Sequence, residues 1–157
     1  MSTLPSLSTH PGLRIDTSPE GIILSQFHSA ERSAVDEWTR WIEAYQLQGL
    51  WYGKNIIHLL VDCRSIDKPP IRYFLECLSD YNREYPQLKP PKVRLAYVHA
   101  EQTNILAVFM VLADLIEGLE AEFFPASAYA QAKTWLLSNA APKPRTEQEQ
   151  PGAGDWR

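Results

Sequence analysis

The chain has 157 residues, 45% of them hydrophobic and 22% charged, with a formal net charge of −4. That length suits one domain around one core and is short for two. The mildly acidic balance argues against a nucleic-acid binder that tracks phosphates, because such a protein needs a basic face.

Residues 1–12, rich in Ser, Thr and Pro, read as a loose arm. They have neither the basic start nor the apolar centre of a signal peptide. Leu13, Arg14, Ile15 and Asp16 alternate apolar and polar, and a second apolar stretch runs from Ile22 to Phe27. Between them Ser18, Pro19, Glu20 and Gly21 spell a turn, so an antiparallel hairpin is predicted. Ser29 is the expected N-cap of a helix reaching about Gln46. Val35, Trp38, Trp41, Ile42 and Tyr45 recur along it at helical spacing and make one apolar stripe. Gly49 and Gly53 then break the chain.

The next apolar run, residues 56–62, is continuous rather than alternating, which predicts a strand covered on both faces. Asp67 followed by Pro69 and Pro70 suggests a helix start with prolines in its first turn. Ile71, Phe74, Leu75 and Leu78 mark that helix's buried face, and Pro86, Pro90 and Pro91 end it. Residues 93–98 form the following strand. Thr103 is placed to cap a helix over 104–117, which Gly118 stops. Residues 119–124 are the last strand, and Ser127 the expected cap of a final helix to Leu137, with Tyr129, Ala132, Trp135 and Leu136 inward. Residues 140–157, with three prolines, two glycines and few apolar side chains, are expected to be a disordered tail. The folded unit is then 13–139. Its order, β-β-α-β-α-β-α-β-α, predicts an α/β domain with a mixed, mostly parallel sheet and right-handed crossovers.

This element order resembles a STAS domain, the fold of anti-sigma-factor antagonists, and more closely the SpoIIAA-like group. The resembling residues are the hairpin and helix over 13–41, the segment Leu59-Leu60-Val61-Asp62-Cys63-Arg64-Ser65, the strand 93–98, and Glu122-Phe123-Phe124 leading into 130–137. The resemblance implies a regulatory, non-enzymatic interaction module, with membrane association or nonpolar-ligand binding as a further association of such proteins. It also implies a regulatory Ser where the central strand turns into its helix. Here that turn reads Ser65-Ile66-Asp67-Lys68-Pro69-Pro70, without the family's Asp-Ser-Ser-Gly, and Ser65 is its only hydroxyl.

Two constellations are candidate sites. Helix 104–117 carries Ile105, Val108, Phe109, Leu112 and Ile116 among further apolar residues, covering far more than one stripe. Such a helix needs cover on two sides. Self-association into a homodimer, contact with another protein, cover within the domain, and a lipid or nonpolar ligand all satisfy that need. The second constellation lies at the carboxyl ends of the strands, where open α/β sheets bind ligands: Asp62, Arg64, Ser65, Asp67 and His99, with Cys63 and His28 adjacent. A Cys63–His99 pair could support nucleophilic chemistry. The alternative is that Asp62 caps backbone amides and the histidines are solvated.

Cys63 and Cys77 make no metal-ligand pattern, and no metal or other cofactor is expected. The segment Gly49 to Asn55 lacks the spacing, the hydroxyl and the strand-to-helix order of a phosphate loop. His58, inside an apolar strand, reads as a satisfied core group, and Trp51 and Tyr52 as extensions of the core. The longest apolar run, 105–113, is far short of a bilayer span. No transmembrane segment is therefore expected, and cytoplasmic residence follows.

Overall fold

A computed structural model describes residues 10–47, 56–84, 92–100, 110, 113–114 and 118–138. Five strands form one sheet: β1 (Leu13–Thr17), β2 (Ile23–Phe27), β3 (Ile56–Cys63), β4 (Lys92–His99) and β5 (Leu119–Pro125). They lie side by side in chain order, β1 antiparallel to β2 and the other four mutually parallel. Helix α1 (Arg32–Leu47) follows β2, α2 (Ile71–Glu84) follows β3, and α3 (Tyr129–Leu137) closes the described chain after a 3-10 turn at Ala126–Ala128. Met110, Ala113 and Asp114, between β4 and β5, are helical. The α/β class and the mixed, mostly parallel sheet match the sequence reading.

Strand order dictates where the helices go. Parallel strands that neighbour each other in sequence and cross over with one hand deliver every crossover helix to the same face. Accordingly α1, α2, Met110 and Ala113 share one apolar cluster with Leu13, Ile15, Ile23, Phe27, Leu59, Val61, Leu95, Tyr97 and Phe123. This is the crossover face. The intervening residues Ile22, Leu60, Ala96 and Val98 point to the other side and, among the described residues, are covered by α3 through Tyr129, Ala132, Trp135 and Leu136. A nine-residue helix is about 14 Å long, and α3 packs on β3, β4 and β5.

Burial along the strands records the consequence. β4 is buried continuously from Arg94 to His99, and β3 from Leu59 to Cys63, the latter covered on both faces as the continuous apolar run over 56–62 predicts. In β1, by contrast, the core-facing Leu13 and Ile15 alternate with exposed Arg14 and half-buried Asp16.

The helix starts differ from expectation in three places, one of them α3, which begins at Tyr129 after Ala128 with no side-chain cap while Ser127 lies inside the 3-10 turn. α1 begins at Arg32, three residues past Ser29, whose hydroxyl instead accepts the Glu31 N–H at 3.1 Å in the preceding turn. α2 begins at Ile71, so Pro69 and Pro70 precede the helix rather than filling its first turn. The Pro70 carbonyl accepts the Phe74 N–H at 3.0 Å. A residue before proline is driven out of the helical region, which disfavours a helix through Lys68 and Pro69. Residues 10–12, at the end of the expected arm, are tied to the domain. His10 Nδ1 accepts the Gly12 N–H, its Nε2 lies 2.9 Å from Ser33 Oγ, and the His28 N–H donates to the Gly12 carbonyl. A Cβ at Gly12 would sit 2.5 Å from that of Ser29, so only glycine fits there. Gly21 closes the hairpin turn with φ of +87°, a conformation side chains resist.

Two polar anchors lock the layers. Trp38, 1% exposed, lies 4.6 Å from the Phe74 ring in a tilted pair and donates its indole N–H to the buried Ser25 hydroxyl at 2.8 Å. On the α3 side, buried Arg94 donates to the Trp135 carbonyl at 3.1 Å, lies 4.0 Å over the Trp135 ring and sits 3.6 Å from Glu120. A buried guanidinium requires such partners, and this one ties the end of α3 to the sheet.

Candidate functional site

The carboxyl end of β3 is the most elaborated polar position on the sheet. Asp62 is 4% exposed, and its carboxylate is fully engaged by the residue two places on. Oδ1 accepts the Arg64 backbone N–H at 3.1 Å and Nε–H at 3.0 Å, while Oδ2 accepts Nη2–H at 2.8 Å. The Arg64 guanidinium also lies 3.9 Å from the centre of the Tyr129 ring, at the start of α3. The hydrogen bond to Asp62 is the main cause of the raised Arg64 pKa. Burial of the Tyr129 ring raises its phenol, and the nearby Asp62 carboxylate adds to that.

The turn after this pair is firmly seated. The Ile66 N–H donates to the Cys63 carbonyl at 3.1 Å, and the Ile66 side chain is 5% exposed. Arg64, Ser65, Asp67 and Lys68 are exposed around that anchor. Ser65 and Asp67 thus share the turn with Arg64 but lie at the surface, apart from the buried carboxylate.

Cys63 and His99 are register partners on β3 and β4. Their chemistry is nonetheless separate. Burial pushes the Cys63 thiol up to about 12, against which a hydrogen bond with Tyr97 is the smaller, opposing influence. Burial likewise raises the Tyr97 hydroxyl well above its ordinary range. His99 is 9% exposed, and its Nδ1 lies 2.7 Å from the Ala100 carbonyl oxygen. A catalytic cysteine needs an accessible thiolate, and this thiol is neither accessible nor ionised near neutrality.

Two recesses flank this strand end. On the crossover face, Phe27, Val61, Cys63, Ile66, Phe74 and Tyr97 surround a cavity of about 20 Å³, room for one water. On the opposite face lies a recess of about 80 Å³. Its floor is Leu24 and Leu60. One wall holds Arg14 and Asp16, and the other Asp62, Arg64 and Tyr129. The sheet register puts Arg14, Gln26 and Asp62 in one row across β1, β2 and β3, with Asp16, Leu24 and Leu60 in the next. The recess exists because α3 stops at β3. The sequence reading missed Arg14, Gln26 and Tyr129 here, although the polar positions alternating with Leu13, Ile15, Ile23, Ser25 and Phe27 were the available signal.

The apolar candidates Ile105, Val108, Phe109, Leu112 and Ile116 lie outside the described residues, as do Trp51 and Tyr52. Of the same predicted helix, Met110 and Ala113 pack in the crossover-face cluster and Asp114 is exposed. Among the described residues no group of His, Cys, Asp and Glu could hold a metal ion. Among them, too, no helix is long and apolar enough to cross a membrane. No protein-family model, curated protein or solved structure matches this chain.

Proposed function

We propose that this chain is a non-enzymatic regulatory or protein-interaction module of the STAS-like kind, working through the strand-end turn over residues 62–68 and self-associating through segment 104–117. One observation carries the non-enzymatic reading: Cys63, the only nucleophile in the strand-end constellation with a neighbouring histidine, is buried and has its pKa pushed up to about 12. What remains at that end is a set of charged groups held on a seated turn, which is suited to recognition. The number of apolar side chains between Ile105 and Ile116 supports the self-association.

A single purified sample tests both parts. Iodoacetamide is expected to leave Cys63 unmodified from pH 6 to 9 in the native state and to label it once the chain is denatured. Light scattering of the same sample is expected to report a dimer at high concentration. Rapid native labelling of Cys63 near neutral pH contradicts the non-enzymatic reading, and a strict monomer contradicts the self-association.

A further inference from the structure

The recess beside α3 is built to receive an anion, and this goes beyond the interaction reading above without depending on dimer formation. We propose that it binds a small molecule carrying a carboxylate or phosphate group on a short apolar stem, with Arg64 as the recognising residue.

The argument begins with how Arg64 is held. A guanidinium has five N–H donors in a planar fork. Two of them, on Nε and Nη2, go to Asp62, which fixes one edge of the fork. The Tyr129 ring, 3.9 Å away, fixes its plane. The opposite edge, carrying Nη1, is left for another acceptor, and the side chain is 35% exposed where it borders the recess. An edge presented this way matches the two oxygens of a carboxylate or phosphate. Because the group is oriented before any ligand arrives, little rotamer freedom is lost on binding.

The rest of the recess favours the same occupant. Asp62 carries the compensating charge, but it is 4% exposed and already accepts three hydrogen bonds from Arg64, so an incoming group meets mainly the cation. Gln26, beside Asp62 in the register, adds an amide able to donate. Arg14, 71% exposed and paired with the 44% exposed Asp16, is a weakly committed second cation on the far wall. Leu24 and Leu60 give the stem an apolar floor. At about 80 Å³ the space takes an oxyanion and a few carbons and has no room for a large cofactor. The crossover-face cavity, at about 20 Å³, has room for neither.

The test is an amide-resolved NMR titration of the full chain with sodium butyrate, with inorganic phosphate, and with butylammonium chloride as the cationic control, all at matched ionic strength. Saturable shifts centred on Gln26, Arg64 and Tyr129 are expected with an anion and not with butylammonium. Saturation by butyrate alone identifies a carboxylate ligand, by phosphate alone a phosphate ester, and either supports the proposal. Gln26→Glu, which leaves Asp62, Arg64 and Tyr129 in place, sets a carboxylate against the ligand and is expected to weaken binding by about tenfold or more, the equivalent of one lost charge-assisted hydrogen bond. Arg64→Gln is expected to abolish it, with thermal melts reporting whether each variant is folded. The proposal is overturned if neither anion saturates at these amides, if butylammonium does so equally, or if folded Gln26→Glu binds as well as the parent.

Discussion

The two faces of this sheet are assembled from the same five strands, yet they differ in kind. The crossover face is covered by α1, α2 and the helical residues Met110 and Ala113, and the recess left among its side chains is about 20 Å³, room for one water. Among the described residues the opposite face is covered by a single short helix that packs on three strands, and a polar recess lies beside it. The difference follows from topology: a parallel sheet wound in one direction sends all its crossovers to one side, and an element outside the crossovers, here α3, is free to dress the other. Sealing and openness are therefore properties of the winding, and the open side is where a ligand has somewhere to go.

That contrast can be broken most severely on the sealed face. Trp38→Ala removes a fully buried indole from between β2 and α2 and strands the Ser25 hydroxyl. A loss of about 3–5 kcal/mol is expected, read as a lower denaturation midpoint, and a loss below about 1 kcal/mol would show that this face is not tightly packed. On the α3 side the expected effect is smaller. Arg94→Met ends the ties to Trp135 and Glu120 but leaves Glu120 its partner Lys92 at 2.5 Å. About 2 kcal/mol is expected, below the usual cost of orphaning a buried charge because that charge keeps a cation. Its amide-exchange signature is expected to concentrate in α3 rather than spread through α1 and α2.

The smallest effect is one of pH. The Cys63 thiol is raised from an ordinary value of 9.0 to about 12 by burial on the sealed face. Above pH 9 the unfolded chain releases this proton while the folded one retains it, so the folded state binds more protons and stability falls as pH rises. The decline starts near pH 9, runs toward about 12, and has a limiting slope of about 1.4 kcal/mol per unit from this one group. Tyr97, shifted in the same direction, steepens it. Cys63→Ala is expected to flatten the alkaline limb of urea midpoints measured from pH 8 to 10. An unchanged limb would mean that the thiol is not enclosed as described.

Much of the architecture was legible in the chain. The stripe Val35, Trp38, Trp41, Ile42 and Tyr45 is buried as its spacing requires, and the unbroken apolarity of residues 57–61 marked a doubly covered strand. Periodicity reports one element's faces well. It does not report how many strands a neighbouring helix covers, because that depends on strand order. The recess was therefore only half visible. Asp62 and Arg64 stood out at a strand end, but Arg14 comes from a strand 48 positions earlier in the chain and Tyr129 from a helix 67 positions later than Asp62, and only the register and α3 bring them together. Cys63 and His99 illustrate the converse. Placing both at strand ends left a catalytic pair as one alternative; spacing alone did not tell that the pleat turns the thiol into the core, where burial raises its pKa. The turn 67–70 was misjudged by one helical turn because the restriction that Pro70 imposes on Pro69 outweighs the tolerance of helices for proline at their first position.

Hydroxyl-radical footprinting of the native protein tests the difference between the faces most directly, because it reads solvent contact one side chain at a time. After correction for intrinsic reactivity, Leu24 and Tyr129 beside the recess are expected to oxidise well ahead of Phe27, Trp38 and Tyr97 on the sealed side. Equal rates for the two sets, or protection of Tyr129 to the level of Tyr97, would contradict the account.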